Sequence, residues 1–341
     1  AGVVVVNAPQ ANAVSAAEHT LALLLSQARR IPEADRALRE GRWERERFKG
    51  VELYGKTLGV VGLGRIGTLV AQRAIAFGMN VLAYDPYVGP DRARRLGVEP
   101  VEELADLMGR ADFVTVHLPR TRETEGLLGA GALAAAKPGI RIVNTARGGV
   151  VDEAALAEAI REGTVAGAAL DVFAEEPLTA SPLFDLPEVV VTPHLGASTV
   201  EAQGKAGIGV AEAVIAALRG ALVPSAVNID VGPEVPADLV PFLPLAEDLG
   251  TLFVALARGL PERLTVRVQG ELAESPVRPV ALAALTGALA SVSDAPVSFA
   301  NAPALAEARG LTVVEEATLQ SRVYPSVIRL TGDPGGAAVS V

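Results

Sequence analysis

The chain has 341 residues, half of them hydrophobic, with a formal net charge of −10 and no cysteine. That length and apolar content suit two or three cored domains. The acidic balance argues against a general nucleic-acid surface, and the missing cysteine excludes disulfides, thiolate metal sites and thiol nucleophiles.

No apolar run reaches the roughly 18 residues a membrane helix needs. No basic-then-apolar signal opens the chain. A cytoplasmic protein with no membrane or nucleic-acid partner and no metal is therefore expected. Ala1-Gly2-Val3-Val4-Val5-Val6 reads as an apolar strand, followed by a turn at Asn7-Ala8-Pro9. Because that strand has no element before it, the chain reads as beginning inside a protein. Ser15-Ala16-Ala17-Glu18 has capping-box form and predicts a leucine-rich helix reaching about Arg30, with His19 in its first turn.

From Leu58 onward strands alternate with helix-length segments: Leu58–Val61, Val81–Tyr84, Phe113–Val116, Ile140–Asn144, Val165–Leu170 and Val189–Val191. Several are continuous apolar runs, the pattern of a parallel sheet covered on both faces. This predicts an α/β, doubly wound parallel sheet of Rossmann type. Ser198–Arg219 reads as one long helix, with Ser198 and Glu201 as a second capping pair and Gly220 as its stop. Beyond Asp230, Pro233, Pro236, Pro241 and Pro244 punctuate the chain as a linker would. A further module follows, with a strand at Leu264–Val268, a small-residue helix at Val280–Ala290 and a strand at Val327–Leu330. Gly332, Pro334, Gly335 and Gly336 then form a hairpin signal.

The run Gly62-Leu63-Gly64-Arg65-Ile66-Gly67 sits between the first of these strands and a helix-patterned segment ending near Phe77. In that setting its glycines serve a tight turn, close approach of backbone to a pyrophosphate, and close helix–strand packing. The next strand delivers Asp85 where the dinucleotide fingerprint places an acid for the ribose hydroxyls. A carboxylate there repels a 2′-phosphate and favours NAD over NADP, although Arg92, Arg94 and Arg95 follow closely.

Hydride transfer from a hydroxyl carbon needs a base for the departing proton, a group that tunes the base, and a cation for a substrate carboxylate. Arg147, Glu176 and His194 all lie just past strand ends, at the edge where open α/β sheets bind ligands. Taken singly, Arg147 could cap a loop and Glu176 could be a solvated turn acid. His117, ending another strand, rivals His194 as base, and position alone does not choose between them. His19, on a helix, reads as packing or interface.

Four stretches taken in order resemble the successive motifs of the D-isomer-specific 2-hydroxyacid dehydrogenases. They are Gly62–Gly67 with Tyr84-Asp85-Pro86, Asn144–Asp152, Ala169–Pro177 and Thr192–Thr199. Within the family, Gly41–Arg45, His194–Thr199 with Glu201-Ala202-Gln203, Gln269–Leu272 and Asn301–Leu305 resemble members that oxidise 3-phospho-D-glycerate with NAD at the entry to serine biosynthesis.

The resemblance implies that His194 is the base, that Glu176 hydrogen-bonds its imidazole and that Arg147 holds the substrate carboxylate. It implies cofactor contacts from Gly62, Gly64, Arg65, Ile66, Gly67, Asp85, Leu118, Thr145, Ala146, Arg147, Asp171, His194, Gly196 and Ala197. Residues 9–194 would form the NAD-binding domain, 1–8 and 195–230 a remnant of a flavodoxin-like substrate domain, and 231–341 an α+β intervening domain. Much of the substrate-binding surface would lie outside this sequence, leaving the chain nearly inactive by itself. A homodimer or homotetramer is expected, with Arg45 either a surface charge or a contact to a neighbour's substrate phosphate. The family also contains sister dehydrogenases of other 2-oxo acids and NAD(H)-sensing binding proteins, which stand as alternatives.

Overall fold

Side-chain alternation along short parallel strands builds the first of two units, Pro9–Ala206. In the computed structural model this unit begins with α1 (Ala13–Ala28), α2 (Ile31–Arg39) and a 3-10 turn at Arg45–Phe48. It continues as β1 (Thr57–Val61), α3 (Arg65–Ala76), β2 (Asn80–Tyr84), α4 (Pro90–Arg95), β3 (Glu99–Pro100), α5 (Leu104–Arg110) and β4 (Phe113–Val116). Then come α6 (Ala130–Ala134), β5 (Ile140–Asn144), α7 (Glu153–Arg161), β6 (Val165–Leu170), β7 (Val189–Val191) and α8 (Val200–Leu218), which crosses into the second unit. The structure describes residues 2–231, 235–321, 324–333 and 338–341. Ala1 of the expected first strand, Pro233 of the expected linker, and Pro334, Gly335 and Gly336 of the hairpin signal lie outside the described residues.

The seven strands run in the order β3-β2-β1-β4-β5-β6-β7, and every pairing is parallel. Leu58, Val60, Val81, Ala83 and Phe113 point into a core shared with Leu24 of α1 and Val70 of α3. Val61, Leu82, Val114 and Val116 point the other way, against Leu107 of α5 and Leu156 of α7. Both faces are covered, which is why these strands read as unbroken apolar runs. Strand order reverses between β1 and β4, and the loops after those strands open at one edge of the sheet.

The second unit comprises Ala1–Ala8 and Gly207–Val341. It contains α9 (Phe242–Ala257), β8 (Arg263–Gly270), α10 (Arg278–Ala290), α11 (Ala302–Ala308), β9 (Thr312–Thr318), β10 (Ser326–Gly332) and β11 (Val339–Ser340). Its sheet has the order β11-β10-β8-β9, with β8 and β9 parallel and the rest antiparallel. Leu264, Val266 and Val268 alternate into a core with Leu243 and Phe253 of α9 and with α10. β10 and β11 pair as a hairpin, Thr331 opposite Ser340.

Several local expectations are corrected. The opening apolar run forms no strand among its described residues; Val6 makes a single bridge to Ala226, and Val3 and Val5 stand exposed. An extended segment needs a hydrogen-bonding partner along its length, and here a short stretch around residues 225–228, with Ser298 at Gly2, supplies isolated contacts. The first helix starts two residues before Ser15, whose hydroxyl contacts Thr199 Oγ1 instead of capping. For α8 the cap is Thr199, not Ser198: its Oγ1 accepts the Ala202 N–H at 3.1 Å. The stretch read as a linker packs into the second core through Val231, Val235 and Leu239. Pro241 and Pro244 sit at the start of α9, where a missing N–H costs no helical bond.

Candidate active site

The glycine loop owes its shape to two contacts. Gly62 has φ +97°, and a Cβ there would stand 2.7 Å from the His117 carbonyl. At Gly67 a Cβ would come within 2.0 Å of the Gly62 carbonyl, so the first turn of α3 can rest on the loop only without a side chain. Gly64, immediately before α3, is different: a Cβ there meets nothing within 4 Å. Arg65 and Ile66 open α3, whose first N–H groups lack intrahelical partners and carry the positive dipole end.

At the end of β2, Asp85 accepts the Leu63 N–H on Oδ2 at 2.8 Å and the Tyr87 N–H on Oδ1 at 2.9 Å. A carboxylate offers about four acceptor positions, so the rest stay open for ribose hydroxyls. A cavity of about 290 Å³ lies here, lined by Leu63, Tyr84, Asp85 and Pro86, with Arg94 on its wall. The Arg94 guanidinium is turned to Asp91, 3.1 Å away.

A second cavity, of about 210 Å³, gathers residues from three strand ends and α3. Ile66 of α3 and His117 and Leu118 after β4 line it with Thr145, Ala146 and Arg147 after β5, and His194, Gly196 and Ala197 after β7. The sheet thus brings together in one cavity residues singled out in the sequence but far apart in the chain. The loop after β5 is shaped by buried Asn144, which takes the Ala146 N–H on Oδ1 and gives Nδ2 to the Arg147 carbonyl, both at 3.0 Å. Thr145 Oγ1 lies 2.6 Å from Thr20 Oγ1 of α1. The Arg147 side chain stays exposed.

His194 adopts φ +57° at the turn after β7. Its Nδ1 lies 2.6 Å from Glu176 Oε2, while Glu176 Oε1 accepts the Phe173 N–H at 2.9 Å. Burial pushes the Glu176 carboxyl up, yet the hydrogen bonds from His194 and Phe173 outweigh it and hold the group below the usual carboxylate range. An ionised carboxylate only accepts, so Nδ1 carries the hydrogen between them and, in the neutral ring, the lone pair falls to Nε2. His117 is the opposite case. Its Nε2 lies 3.0 Å from Thr115 Oγ1, its Nδ1 is buried without a partner, and burial pushes its pKa down to about 3. It has neither a carboxylate partner nor the proton affinity of a base.

Asp171, expected among the cofactor contacts, is wholly buried behind the cavity. Its carboxylate takes the Thr192 hydroxyl at 2.5 Å, the Leu195 N–H at 2.7 Å and the Gly196 N–H at 2.8 Å, and its carbonyl takes the His194 N–H at 2.9 Å. His19 Nε2 completes this shell 3.1 Å from Oδ1. His19, read from sequence as packing or interface, and Asn144, given no role, are therefore supports of the site. Nothing in the sequence pairs His19 with Asp171, which lies 152 residues away.

Residues 21–196 match the model of the D-isomer specific 2-hydroxyacid dehydrogenase NAD-binding domain, more than half of the chain. The chain belongs to the D-isomer-specific 2-hydroxyacid dehydrogenases. The matched model is of an NAD-binding domain, and the acid at Asp85, the helix terminus at Arg65 and the open space at Gly64 fit NAD. Residues 238–340 match the D-3-phosphoglycerate dehydrogenase intervening domain. A D-3-phosphoglycerate dehydrogenase of Mycobacterium tuberculosis is 58% identical over 311 residues, 91% of this chain and 58% of that protein. The chain spans about three-fifths of the length of the curated relatives it matches. Among solved structures, the TT0316 protein of Thermus thermophilus aligns at 40% identity with TM-score 0.62, covering 66% of this chain and 71% of its own. A D-lactate dehydrogenase of Aquifex aeolicus solved with NAD and lactic acid aligns at 29% identity and TM-score 0.61, covering 68% and 74%.

Proposed function

We propose that the protein oxidises 3-phospho-D-glycerate to 3-phosphohydroxypyruvate with NAD, the entry step of L-serine biosynthesis. The observation that carries the chemistry is the His194–Glu176 pair, with His194 lining one cavity beside Arg147. His194 Nε2 removes the 2-hydroxyl proton as the C2 hydrogen leaves as hydride, and returns it in the reverse direction. Glu176 holds the ring by Nδ1, fixing the tautomer and opposing the positive charge that forms on it. Arg147 binds the substrate carboxylate and polarises the 2-oxo group. NAD, when bound, supplies the hydride acceptor.

The choice of substrate is supported by the intervening-domain match and by the mycobacterial relative. Residues 9–194 are read as the NAD-binding domain, 1–8 and 195–230 as part of a substrate domain and 231–341 as the intervening domain. The protein is read as a cytoplasmic homodimer or homotetramer. Trp43, 82% exposed, supports a partner over the α2 side of the first unit. Among the described residues no helix is long and apolar enough to cross a membrane.

The test is NADH formation by the longest natural chain containing this sequence, offered 3-phosphoglycerate, glycerate and D-lactate. Preference for the phosphorylated acid is expected. Faster turnover of an unphosphorylated acid overturns the substrate, and tight NADH binding without any turnover overturns the enzyme.

A further inference from the structure

His194 is held at φ +57°, in the left-handed region that an L side chain enters only at a cost. A residue stays there only where its surroundings over-determine it. The bond to Glu176 cannot do this alone, because the two side chains are 49% and 33% exposed and water competes for it. The firmer hold comes from behind. Asp171 ties down the residues on both sides of His194, taking the Thr192 hydroxyl before it and the Leu195 and Gly196 N–H groups after it.

A wholly buried carboxylate itself needs matching. Among the described residues, His19 of α1 is the one basic side chain within ion-pair distance of Asp171. The direction of their contact follows from counting hydrogens. Thr192 has one hydroxyl hydrogen, and Asp171 Oδ1 takes it at 2.5 Å. His19 Nε2 lies 3.1 Å from Asp171 Oδ1 and 3.1 Å from Thr192 Oγ1, and neither oxygen has a hydrogen left to give. Nε2 therefore carries the hydrogen and shares it between the two. His194 carries its own on Nδ1, toward Glu176. Two histidine–carboxylate couples thus stand one behind the other, with hydrogens on opposite ring nitrogens and the 192–196 turn between them.

We propose that His19 is a positioning residue for His194. Its Nε2–H fixes the Asp171 carboxylate and the Thr192 side chain, and through them the turn, so that Glu176 keeps hold of Nδ1 and the Nε2 lone pair of His194 stays free for the 2-hydroxyl proton. His19 does not line the cavity and acts only through Asp171 and Thr192. The inference rests on the reading of His194 as the base.

The experiment is ring nitrogen-15 spectroscopy of the whole chain at about pH 9, where an ordinary imidazole is neutral. Such spectra show which nitrogen of each ring bears hydrogen, and the sequence has three histidines, so single replacements assign them. In the parent chain His19 is expected with hydrogen on Nε2 and His194 with hydrogen on Nδ1. In His19→Met, which keeps the bulk and cannot donate, His194 should become a mixture of the two tautomers. His19→Gln, whose amide can donate to the same oxygens, should restore the Nδ1–H form. Thr20→Val is the control: it removes the hydroxyl that meets Thr145 from the next position of the same helix, and should leave His194 unchanged. In the longest natural chain containing this sequence, His19→Met should lower kcat about tenfold with little change in substrate KM, and His19→Gln should recover it.

The proposal is overturned by a parent His19 without hydrogen on Nε2, or by a folded His19→Met chain whose His194 keeps the Nδ1–H form, whatever its melting temperature. Equal disturbance of His194 by Thr20→Val overturns it as well. The parent spectrum decides even if His19→Met fails to fold. Absence of turnover in every chain would defeat the proposed reaction, while the tautomers of the parent and its variants still decide the role of His19.

Discussion

Glu176 Oε2 lies 2.6 Å from His194 Nδ1, across 18 residues of chain and between the loops after β6 and β7. The pair is therefore a tie between two loops as well as the proposed catalytic couple. The Glu176 carboxyl is held below the usual carboxylate range, burial opposing and the His194 and Phe173 hydrogen bonds prevailing. A depressed folded pKa contributes stability that is full above the unfolded value of about 4.3 and is lost as pH falls through the folded one. Glu176→Gln should thus melt below the parent at neutral pH, by less than about 1 kcal/mol because a third of the side chain is exposed. The gap should close on acidification below about pH 4. Melting curves against pH check this, and a gap that widens in acid contradicts it.

For the base, the informative replacement is His194→Asn. Asn tolerates the left-handed backbone that His194 adopts, so the turn survives while the lone pair of Nε2 disappears. Loss of a general base should lower kcat by about 10²–10⁴-fold with little change in NADH affinity. His117→Gln should cost only a small part of that, since burial makes His117 a weak proton acceptor and no carboxylate partners it among the described residues. Steady-state rates with fluorescence titration of NADH separate the two residues, and the reverse ranking would move the base to His117.

The sheet was readable because its physics is local. Strands β4 to β7 were expected at the bounds observed, each mainly apolar, with β4, β5 and β6 paired on both sides. Helix starts were less readable, because Ser15, Ser198 and Thr199 are equally good caps by composition and tertiary contacts chose among them. The prolines after Asp230 look the same in a linker and in the first turn of a helix. Catalytic candidates at strand ends were legible through the sheet's polarity and the family's motifs. Their supports were not: Asp171 holds the 192–196 turn, and His19 meets Asp171, through contacts that no periodicity encodes.

Two glycines of one loop should fail in different ways. Gly67→Ala forces a methyl group to within 2.0 Å of the Gly62 carbonyl, so it should destabilise the first unit by about 1–3 kcal/mol and weaken NADH binding with it. Gly64→Ala meets nothing within 4 Å, so the protein should melt normally yet lose NADH affinity, the methyl group occupying the space a pyrophosphate needs. Thermal melts beside NADH titrations distinguish the outcomes. Normal NADH binding by a well-folded Gly64→Ala chain would place the phosphates elsewhere.

Asp85 carries two duties that one substitution can divide. Its oxygens anchor the Leu63 and Tyr87 N–H groups, and its remaining acceptor positions face the 290 Å³ cavity. In Asp85→Ser a hydroxyl can still serve one backbone N–H, but the charge that opposes a 2′-phosphate is gone. Arg94, on the wall of that cavity, would then become available to the phosphate whenever it leaves Asp91. NADH affinity should fall by about tenfold. NADPH affinity should hold or rise, so the ratio of the two constants shifts by more than either alone. Parallel fluorescence titrations with the two nucleotides measure that ratio. If both affinities fall together and the ratio stays put, Asp85 acts only as the anchor of the glycine loop, and the preference for NAD must come from another group at the end of β2.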